Sequence, residues 1–452
     1  MVIIQPMEKN AKQFIGAPTF ADDTLLRPSS FLHFAKCADG VLCFHALTKE
    51  LLLLSPAEAA LLTETHAAGD AAIRPFAEKH YFVEQAQDET KLADEFYAFL
   101  RLFVNRDEYF SAYRIFTTMD CNARCYYCYE MGRPRISMTQ ETAEKVVRFI
   151  LRTKKEKKNG ISLAWFGGEP LYNAEVINYI TRRLSEERVT FASTMVTNGY
   201  LMRGENLINA KERWHLRRVQ ISLDGTEEVY NRSKAYIYKE GNPYRIVMEN
   251  IDGLLDAGIS VSIRLNVSAQ NLQNLSLLID ELVARFGGKK GFFIYTHLLF
   301  DTDRKKFTGD DDAQLLQAKN MTALEEKLQA NRLLGVHMLE DAHKITKCMA
   351  DSPHAVIILP NGKLGKCEHY SEDHFIGDVE NGITDRAQFL EFAASGKTPE
   401  MCGGCSFYPI CNRLKLCPDE PLVCGKADKF LRQNRIERQM LKAYEKYKKA
   451  AK

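Results

Sequence analysis

The sequence predicts an α/β protein whose central part is a parallel sheet with helices on its outside. Between about residues 113 and 300, strand-like apolar runs alternate with helical patterns, as is typical of βα units. Glycines and polar residues follow these runs at the strand ends, where parallel α/β folds bind their ligands. An open barrel and a doubly wound sheet both fit this pattern.

Length and charge limit the number of domains and the kinds of binding partner that can be expected. A chain of 452 residues exceeds one hydrophobic core, so two or three domains are expected. The net charge of +2 gives no reason to expect nucleic acid or an anionic membrane as a partner. The N-terminus lacks the basic start and apolar region of a secretory signal, and no stretch is long and apolar enough to span a membrane. We expect a soluble, cytoplasmic protein.

The first ninety or so residues predict a separate small module. Two strand-like runs flank the turn Ala38–Gly40. A helix is expected after Ser55, with Pro56 at its first position, and more helix from Lys91 to Val104.

Six strand-helix units follow, with helices expected over Thr139–Leu151 and Tyr244–Ala257. The strand-like runs are YRIFTTM, ISLAWF, TFASTMV, RVQISL, SVSIRLNV and GFFIYTHLLF. After them the chain predicts a polar helical stretch, a cysteine-rich segment and a basic surface helix from Lys426 to Lys452. The residues of interest at the strand ends are Cys121, Gly167–Pro170, Thr197–Gly199 and Ser222–Gly225, which we expect to share one site.

Three cysteines, Cys121, Cys125 and Cys128, lie within eight residues of the stretch YRIFTTMDCNARCYYCYE. A structural zinc site needs four ligands, and no histidine lies between residues 91 and 214. A thiol redox pair would use Cys125 and Cys128 and leave Cys121 over. An iron–sulfur cluster held by three thiolates would leave one iron open to an external ligand.

The spacing C-x3-C-x2-C, with the aromatic Tyr127 before the third cysteine, closely resembles that of the radical S-adenosylmethionine (SAM) enzymes. The resemblance implies a partial (β/α)6 TIM-like barrel over residues 113–300 and a [4Fe–4S] cluster on Cys121, Cys125 and Cys128. It further implies that SAM chelates the open iron and is cleaved reductively to a 5′-deoxyadenosyl radical, which abstracts hydrogen from the substrate.

Other residues at the strand ends match the SAM-binding positions that this resemblance implies. Each also has a plain interpretation, because glycine pairs and Thr-Asn-Gly are common turn signals and Arg232 could be a surface residue. The expected cofactor-binding residues are Tyr127, Gly167, Gly168, Glu169, Asn198, Ser222, Asp224, Arg232 and Asn266.

The second cysteine group contains seven cysteines, an odd number that excludes complete disulfide pairing. Part of it could form a zinc ribbon. The whole pattern resembles the SPASM domain of radical peptide-modifying enzymes, except that five residues instead of three separate Cys411 from Cys417. This resemblance implies two auxiliary [4Fe–4S] clusters, one on Cys402, Cys405, Cys411 and Cys424 and one on Cys348, Cys367 and Cys417.

The second of these clusters would lack one protein ligand. Our hypothesis is that its open iron binds a substrate cysteine thiolate. The alternative is that His354, Glu368 or His369 supplies the fourth ligand.

The N-terminal module resembles the winged-helix peptide-recognition element of ribosomal-peptide maturases, which implies that an open sheet edge accepts a leader peptide as an added strand. The expected leader site is the run Gly40–Ala46 with the helix after Ser55, while Cys37 and Cys43 are expected in the core. The alternative is a domain that only covers the barrel.

These observations predict a maturase that cross-links a ribosomally made precursor peptide, most simply through a cysteine thioether, with flavodoxin or ferredoxin as electron donor. Alternatives are carbon–carbon cross-linking, epimerisation, anaerobic sulfatase maturation and a non-catalytic zinc or leader-binding scaffold. The predicted segments are a recognition domain (1–95), a linker helix (96–112), the barrel (113–300), a helical bridge (301–347), the SPASM domain (348–425) and a C-terminal helix (426–452).

Overall fold

A computed structural model describes residues 1–16, 18–104, 109–154, 160–238, 240–268, 271–298, 311–335, 339–340, 346, 348–368, 374–393, 400–411 and 424–451. The chain divides into two compact units. The first unit comprises Met1–Asp107, Val336–Cys348 and Ser395–Lys452, and the second comprises Glu108–Gly335 and Met349–Ala394. In the described part of the chain, no helix is long and apolar enough to cross a membrane.

The N-terminal part of the first unit contains two small antiparallel sheets and short helices. Its elements are β1 (Val2–Gln5), α1 (Lys9–Ile15), β2 (Leu25–Pro28), β3 (Leu32–Cys37), β4 (Gly40–His45), β5 (Leu51–Leu54), α2 (Pro56–Leu61), β6 (His66–Ala67), α3 (Arg74–Ala77), β7 (Phe82–Glu84) and α4 (Glu89–Val104).

The predicted hairpin and helix of this module are confirmed. Strands β3 and β4 pair around the turn, with Cys37 opposite Gly40. Helix α2 begins after Ser55, whose Oγ accepts a hydrogen bond from the Glu58 amide at 3.3 Å while Glu58 bonds back to the Ser55 amide. Cys43 is buried, as predicted, and Cys37 is half-buried.

The position of β4 corrects the predicted leader site. The larger sheet has the strand order β1-β5-β4-β3, so β4 is paired on both sides. An interior strand has no free backbone edge to offer, and Gly40–Ala46 therefore cannot accept a leader peptide as an added strand. The prediction was wrong because a hairpin in the sequence does not reveal that β5 takes the other edge.

The second unit contains the predicted alternation of strands and helices. Its elements are β8 (Ala112–Thr118), α5 (Gln140–Thr153), β9 (Ile161–Gly167), α6 (Ala174–Glu186), β10 (Phe191–Thr197), α7 (Glu205–Glu212), β11 (Leu216–Leu223), α8 (Glu227–Lys234), α9 (Pro243–Asp256), β12 (Ser260–Val267), α10 (Leu272–Phe286), β13 (Phe292–Leu298), α11 (Asp311–Ala330), β14 (Ala355–Ile358), β15 (Lys363–Gly365), β16 (Gly377–Asp378), β17 (Gly382–Ile383) and α12 (Arg386–Ala393).

Strands β8 to β13 are the six predicted strands, and each pairs in parallel with the next in chain order. Their helix-facing residues are apolar and buried, as Val261, Ile263 and Leu265 of β12 show. The α/β class and the parallel core are confirmed. Because sequential parallel neighbours place all their carboxyl ends at one edge, the candidate residues are brought together there.

The sheet continues beyond β8 into the cysteine-rich segment. Strand β14 pairs in parallel with β8, and β15, β16 and β17 follow as antiparallel neighbours. Phe116 and Met119 pack here against Ile357 and Leu359. Residues 349–394 therefore form one compact unit with the barrel strands.

Helix α13 (Lys426–Ala450) belongs to the first unit and is more than a surface helix. Its residues Ile436, Met440 and Tyr444 are buried in one apolar cluster with residues of β4, β5 and α4. Phe407, from the second cysteine group, lies in the same cluster. The prediction of a basic surface helix missed this buried face.

Candidate active site

The three-cysteine loop follows directly after β8. The thiols of Cys121, Cys125 and Cys128 are half-buried. The side chain of Asp120 accepts a hydrogen bond from the Cys121 amide at 2.8 Å, and Cys121 Sγ accepts one from the Ala123 amide at 3.3 Å. The loop therefore has a defined conformation at its start.

The donor set of this loop suits an iron–sulfur cluster, because three thiols on one short segment are soft ligands. Burial, together with the charge of Glu169, raises the pKa of Cys121 to about 12, so a metal ion would have to displace its proton. Within the described ranges, no three Cys, His, Asp or Glu side chains are arranged as a metal site. The ligand assignments stay predictions.

The glycine pair at the end of β9, Gly167 and Gly168, lies against the start of the cysteine loop. A Cβ atom at Gly167 would lie 2.1 Å from the carbonyl oxygen of Thr118, and one at Gly168 would lie 2.4 Å from that of Asp120. Gly167 also has a φ of +130°, which favours glycine. The amides of Gly168 and Glu169 donate to these two carbonyls at 3.0 and 2.9 Å. Glycine is therefore required for this close approach of backbones.

Glu169 is fully buried at the carboxyl ends of the strands. Its carboxylate accepts hydrogen bonds from Thr197 Oγ1 at 2.7 Å, the Asn198 amide at 2.8 Å and the Leu171 amide at 3.1 Å. Burial nevertheless raises its pKa to about 7, against the effect of these donors. A cationic group brought next to Glu169 would favour its ionised form.

Asn198 connects the end of β10 to the cysteine loop. Its Nδ2 donates to Asn122 Oδ1 at 2.6 Å and lies 3.7 Å from Cys121 Sγ. The structure therefore brings Asn198, Glu169 and the first cysteine together, as the sequence predicted.

Tyr127, Asp224 and Asn266 form a second connected group around a cation. Asp224 accepts from the Tyr127 hydroxyl at 2.7 Å and from Asn266 Nδ2 at 2.9 Å. Lys234 Nζ lies 3.1 Å from the Asp224 carboxylate and donates to the Tyr127 hydroxyl at 2.6 Å. Burial alone would lower the pKa of Lys234, but the Asp224 carboxylate together with Tyr127, Cys125 and Tyr230 outweighs burial and holds that pKa well above its usual range.

Lys234 also contacts the cysteine loop through its backbone, since its carbonyl oxygen accepts from the Arg124 amide at 2.8 Å. The sequence interpretation chose Arg232 instead. The Arg232 side chain is 70 % exposed and pairs with Glu228 at 3.4 Å. The helical period could have indicated Lys234, because it lies four residues after the buried Tyr230 on α8, whereas Arg232 lies on the opposite face.

Ser222 is half-buried near the end of β11, opposite Arg264 of β12. Asp224 follows two residues later, directly after the end of this strand. The structure thus places Ser222 near this edge of the sheet and Arg232 away from it.

The second cysteine group divides between the two units. Cys402, Cys405, Cys411 and Cys424 are half-buried residues of the first unit. Arg432 of α13 donates through Nη1 to Cys411 Sγ at 3.2 Å. Cys348 falls in the first unit, Cys367 falls in the second, and Cys417 lies outside the described residues.

Two of the three alternative ligands for the second auxiliary cluster are engaged elsewhere. Glu368 Oε1 accepts from Arg114 Nη1 at 2.6 Å. The His354 ring stacks on Tyr109 and bonds through Nδ1 to the Tyr109 carbonyl at 2.9 Å. His369 lies outside the described residues.

The candidate site thus consists of a cysteine loop at the carboxyl ends of six parallel strands. Residues 115–280 match the family model of the Radical SAM superfamily, and the chain therefore contains a radical SAM domain. Proteins of this family bind SAM and a [4Fe–4S] cluster.

Curated relatives share parts of this chain. A probable GTP 3′,8-cyclase of Halobacterium salinarum is 28% identical over 186 residues, which are 39% of this chain and 48% of the relative. The chain thus spans about half the length of this relative. A cysteine-type anaerobic sulfatase-maturating enzyme of Clostridium novyi is 22% identical over 329 residues, 65% of this chain and 84% of the relative.

Solved structures with the same fold cover most of the chain. One is anSMEcpe with bound AdoMet and the Kp18Cys peptide, with a TM-score of 0.57 and 15% identity over 75% of this chain and 99% of that one. Another is SuiB of Streptococcus suis bound to the precursor peptide SuiA, with a TM-score of 0.51 and 14% identity over 86% of this chain and 94% of that one. At these low sequence identities, both similarities show a shared fold.

Proposed function

We propose that this chain is a radical SAM enzyme that modifies a peptide or protein substrate. The observation that carries the proposal is the three-cysteine loop, hydrogen-bonded to Asn198 and lying against the glycine pair that precedes Glu169. A scaffold protein would have no need for this arrangement at the carboxyl ends of six parallel strands. The sulfatase-maturating relative and the peptide-bound solved structures support a peptide substrate.

In this proposal Cys121, Cys125 and Cys128 hold the first [4Fe–4S] cluster. Glu169, buried and with a raised pKa, would accept the methionine ammonium of SAM, which favours its ionised form. Asn198, Ser222 and the group around Asp224 would position the rest of the cofactor, with Lys234 instead of Arg232 as the cation of the site. When bound, the cofactor would supply a carbon-centred radical that abstracts hydrogen from the substrate.

The second cysteine group would hold two auxiliary [4Fe–4S] clusters, with Cys402, Cys405, Cys411 and Cys424 as a complete four-thiolate set. The product we propose is a cysteine thioether: the C–S bond would form as the deoxyadenosyl group takes the hydrogen atom of one C–H bond, the thiol gives up its proton, and the remaining electron passes to an auxiliary cluster. A flavodoxin or ferredoxin would supply the electron. A leader peptide would bind at an edge of the four-stranded sheet, where β1 presents the exposed side chains of Val2 and Ile3.

Sulfatase maturation is the second candidate, because the Clostridium novyi enzyme covers more of this chain than the cyclase does.

Thioether formation lowers the mass of the peptide by two hydrogens and protects its cysteine from alkylation. Mass loss with every thiol still open to alkylation would favour carbon–carbon chemistry, and aldehyde formation on a sulfatase peptide would favour the second candidate.

The test is anaerobic reconstitution of the full chain with iron and sulfide. We expect about twelve irons per chain for three cubanes, and formation of 5′-deoxyadenosine from SAM after reduction. Replacing Cys121, Cys125 and Cys128 with alanine should remove about four irons and abolish cleavage. The matched control is Cys37→Ala, since Cys37 lies outside both cysteine groups. Zinc with negligible iron, or undiminished cleavage in the triple variant, would refute the proposal.

A further inference from the structure

The parallel sheet of the second unit has a second face, opposite the helices. On β12 the helix-facing residues Val261, Ile263 and Leu265 are fully buried, and α9 and α10 pack against this strand. The alternate residues Ser262 and Arg264 are half-buried on the other face. Arg264 therefore belongs to the face that lines the interior of the open barrel.

The strand register places Arg264 close to the candidate SAM site, on the side away from the carboxyl ends of the strands. Arg264 lies opposite Ser222 of β11 and Tyr295 of β13. Asn266, which bonds to Asp224, is two residues further along β12 and opposite His297. Two strand residues span about 7 Å, so Arg264 lies one row further from the strand ends than Asn266.

Arg264 is a cation without a carboxylate beside it in the described part of the chain. Its Nε atom is buried and has no hydrogen-bond partner there. The nearby carboxylate, Asp224, is already neutralised by Lys234 at 3.1 Å and bonded to Asn266. An arginine stays charged at any physiological pH, and a buried donor without a partner is costly. The guanidinium is therefore suited to bind an anion brought by a ligand.

We propose that Arg264 binds a carboxylate of the peptide substrate. This inference rests on the proposed function and adds a substrate class to it, peptides that bring an acidic group into the barrel. The planar guanidinium matches a carboxylate with two parallel N–H···O bonds. Tyr295 lies opposite Arg264 on β13, and its hydroxyl would donate a further hydrogen bond to such a group.

The test uses the reconstituted full chain, immobilised in the presence of SAM, and pools of short randomised peptides. One pool has free C-terminal carboxylates and the other is amidated, so that a terminal carboxylate is distinguished from a side chain. We expect the wild type to enrich Asp and Glu over Asn and Gln in the amidated pool by roughly tenfold. Arg264→Gln should abolish this preference, and Arg264→Lys should keep part of it because it retains the charge.

The matched control is Arg218→Gln, because Arg218 lies on the same face of the neighbouring strand but is exposed, four residues before Ser222. It should select peptides as the wild type does. If the wild type prefers only peptides with a free C-terminal carboxylate, and Arg264→Gln loses this preference, the group that Arg264 binds is the C-terminal carboxylate. Absence of any preference that depends on Arg264 would overturn the inference, as would weakened SAM binding with unchanged peptide selection.

Cleavage of SAM by the same preparations separates this inference from the proposed function. If the wild type forms 5′-deoxyadenosine but shows no acidic preference, only the inference fails. If it forms none, the proposed function fails.

Discussion

A buried ion pair joins Asp224 and Lys234 beside the cysteine loop. Their side chains are only 4 % and 3 % exposed; Tyr127 and Asn266 donate to the Asp224 carboxylate, and Lys234 also donates to the Tyr127 hydroxyl. Buried charges are costly unless they are paired and hydrogen-bonded, and here both conditions are met. At the residue scale this group therefore fixes the positions of the aromatic residue of the cysteine motif and of the ends of β11 and β12.

Replacing Lys234 with methionine should destabilise the second unit by about 3–5 kcal/mol, because Asp224 would be left as an uncompensated buried charge. Adding Asp224→Asn should restore most of this loss. The measurement is a denaturant unfolding curve for each single variant and the double variant.

The control is Arg232→Met, two residues away, which should change the free energy of unfolding by less than about 0.5 kcal/mol because its side chain is exposed. A loss for Lys234→Met no larger than that of the control would show that Lys234 does not neutralise Asp224.

At the scale of elements, α13 serves the second cysteine group as well as the apolar core. Arg432, in its N-terminal half, donates to the Cys411 thiol, and Ile436, Met440 and Tyr444 follow it at four-residue steps along the buried side of the helix. Further hydrogen bonds fix the cysteine segment, since the Gly404 amide donates to Thr90 Oγ1 at 3.1 Å and His33 Nε2 lies 3.0 Å from the Ser406 carbonyl. The N-terminal elements therefore help to position the cysteines of the C-terminal segment.

Arg432→Met should make the reduction potential of the cluster on Cys402, Cys405, Cys411 and Cys424 more negative. A hydrogen bond to a ligating sulfur stabilises the more electron-rich reduced state, and this variant removes it. The measurement is a redox titration of the reconstituted chain followed by electron paramagnetic resonance. Lys429→Met, an exposed lysine on the same helix, is the control. An equal potential in wild type and Arg432→Met would contradict the expectation.

At the scale of the whole molecule, both ends of the chain contribute to one compact unit. Strands β4 and β5, helix α4, Phe407 and helix α13 share one apolar cluster. Tyr444 also donates a hydrogen bond to Asp39, and Lys448 pairs with the same carboxylate at 2.9 Å. The N-terminal module therefore cannot complete its core without the last helix.

Deleting residues 426–452 should unfold the first unit. Burial of one large apolar side chain contributes about 1.5–3 kcal/mol, so losing Ile436, Met440 and Tyr444 together removes an amount comparable with the whole stability of a domain. Limited proteolysis should then cut within residues 1–104, whereas in the intact chain we expect these residues to resist it.

The control deletes only residues 448–452, whose described members are exposed, and should keep that resistance. Unchanged resistance in the longer deletion would show that the module is stable by itself.

The order of the barrel elements and the close approach of the cysteine loop to the glycine pair could be predicted from the sequence. Six apolar runs with intervening helical periods predicted the parallel core, because burial on the helix side requires that pattern. The cysteine spacing and the glycine pair predicted the loop and the strand end that lie together, since both features depend on residues close in the chain. Tertiary structure alone decided the partners of charged groups, because these lie far apart in sequence. In the structure Lys234, and not Arg232, pairs with Asp224, and Arg264 lies opposite Ser222 in the barrel. Strand β4 is paired along both edges, and α13 packs into the N-terminal core.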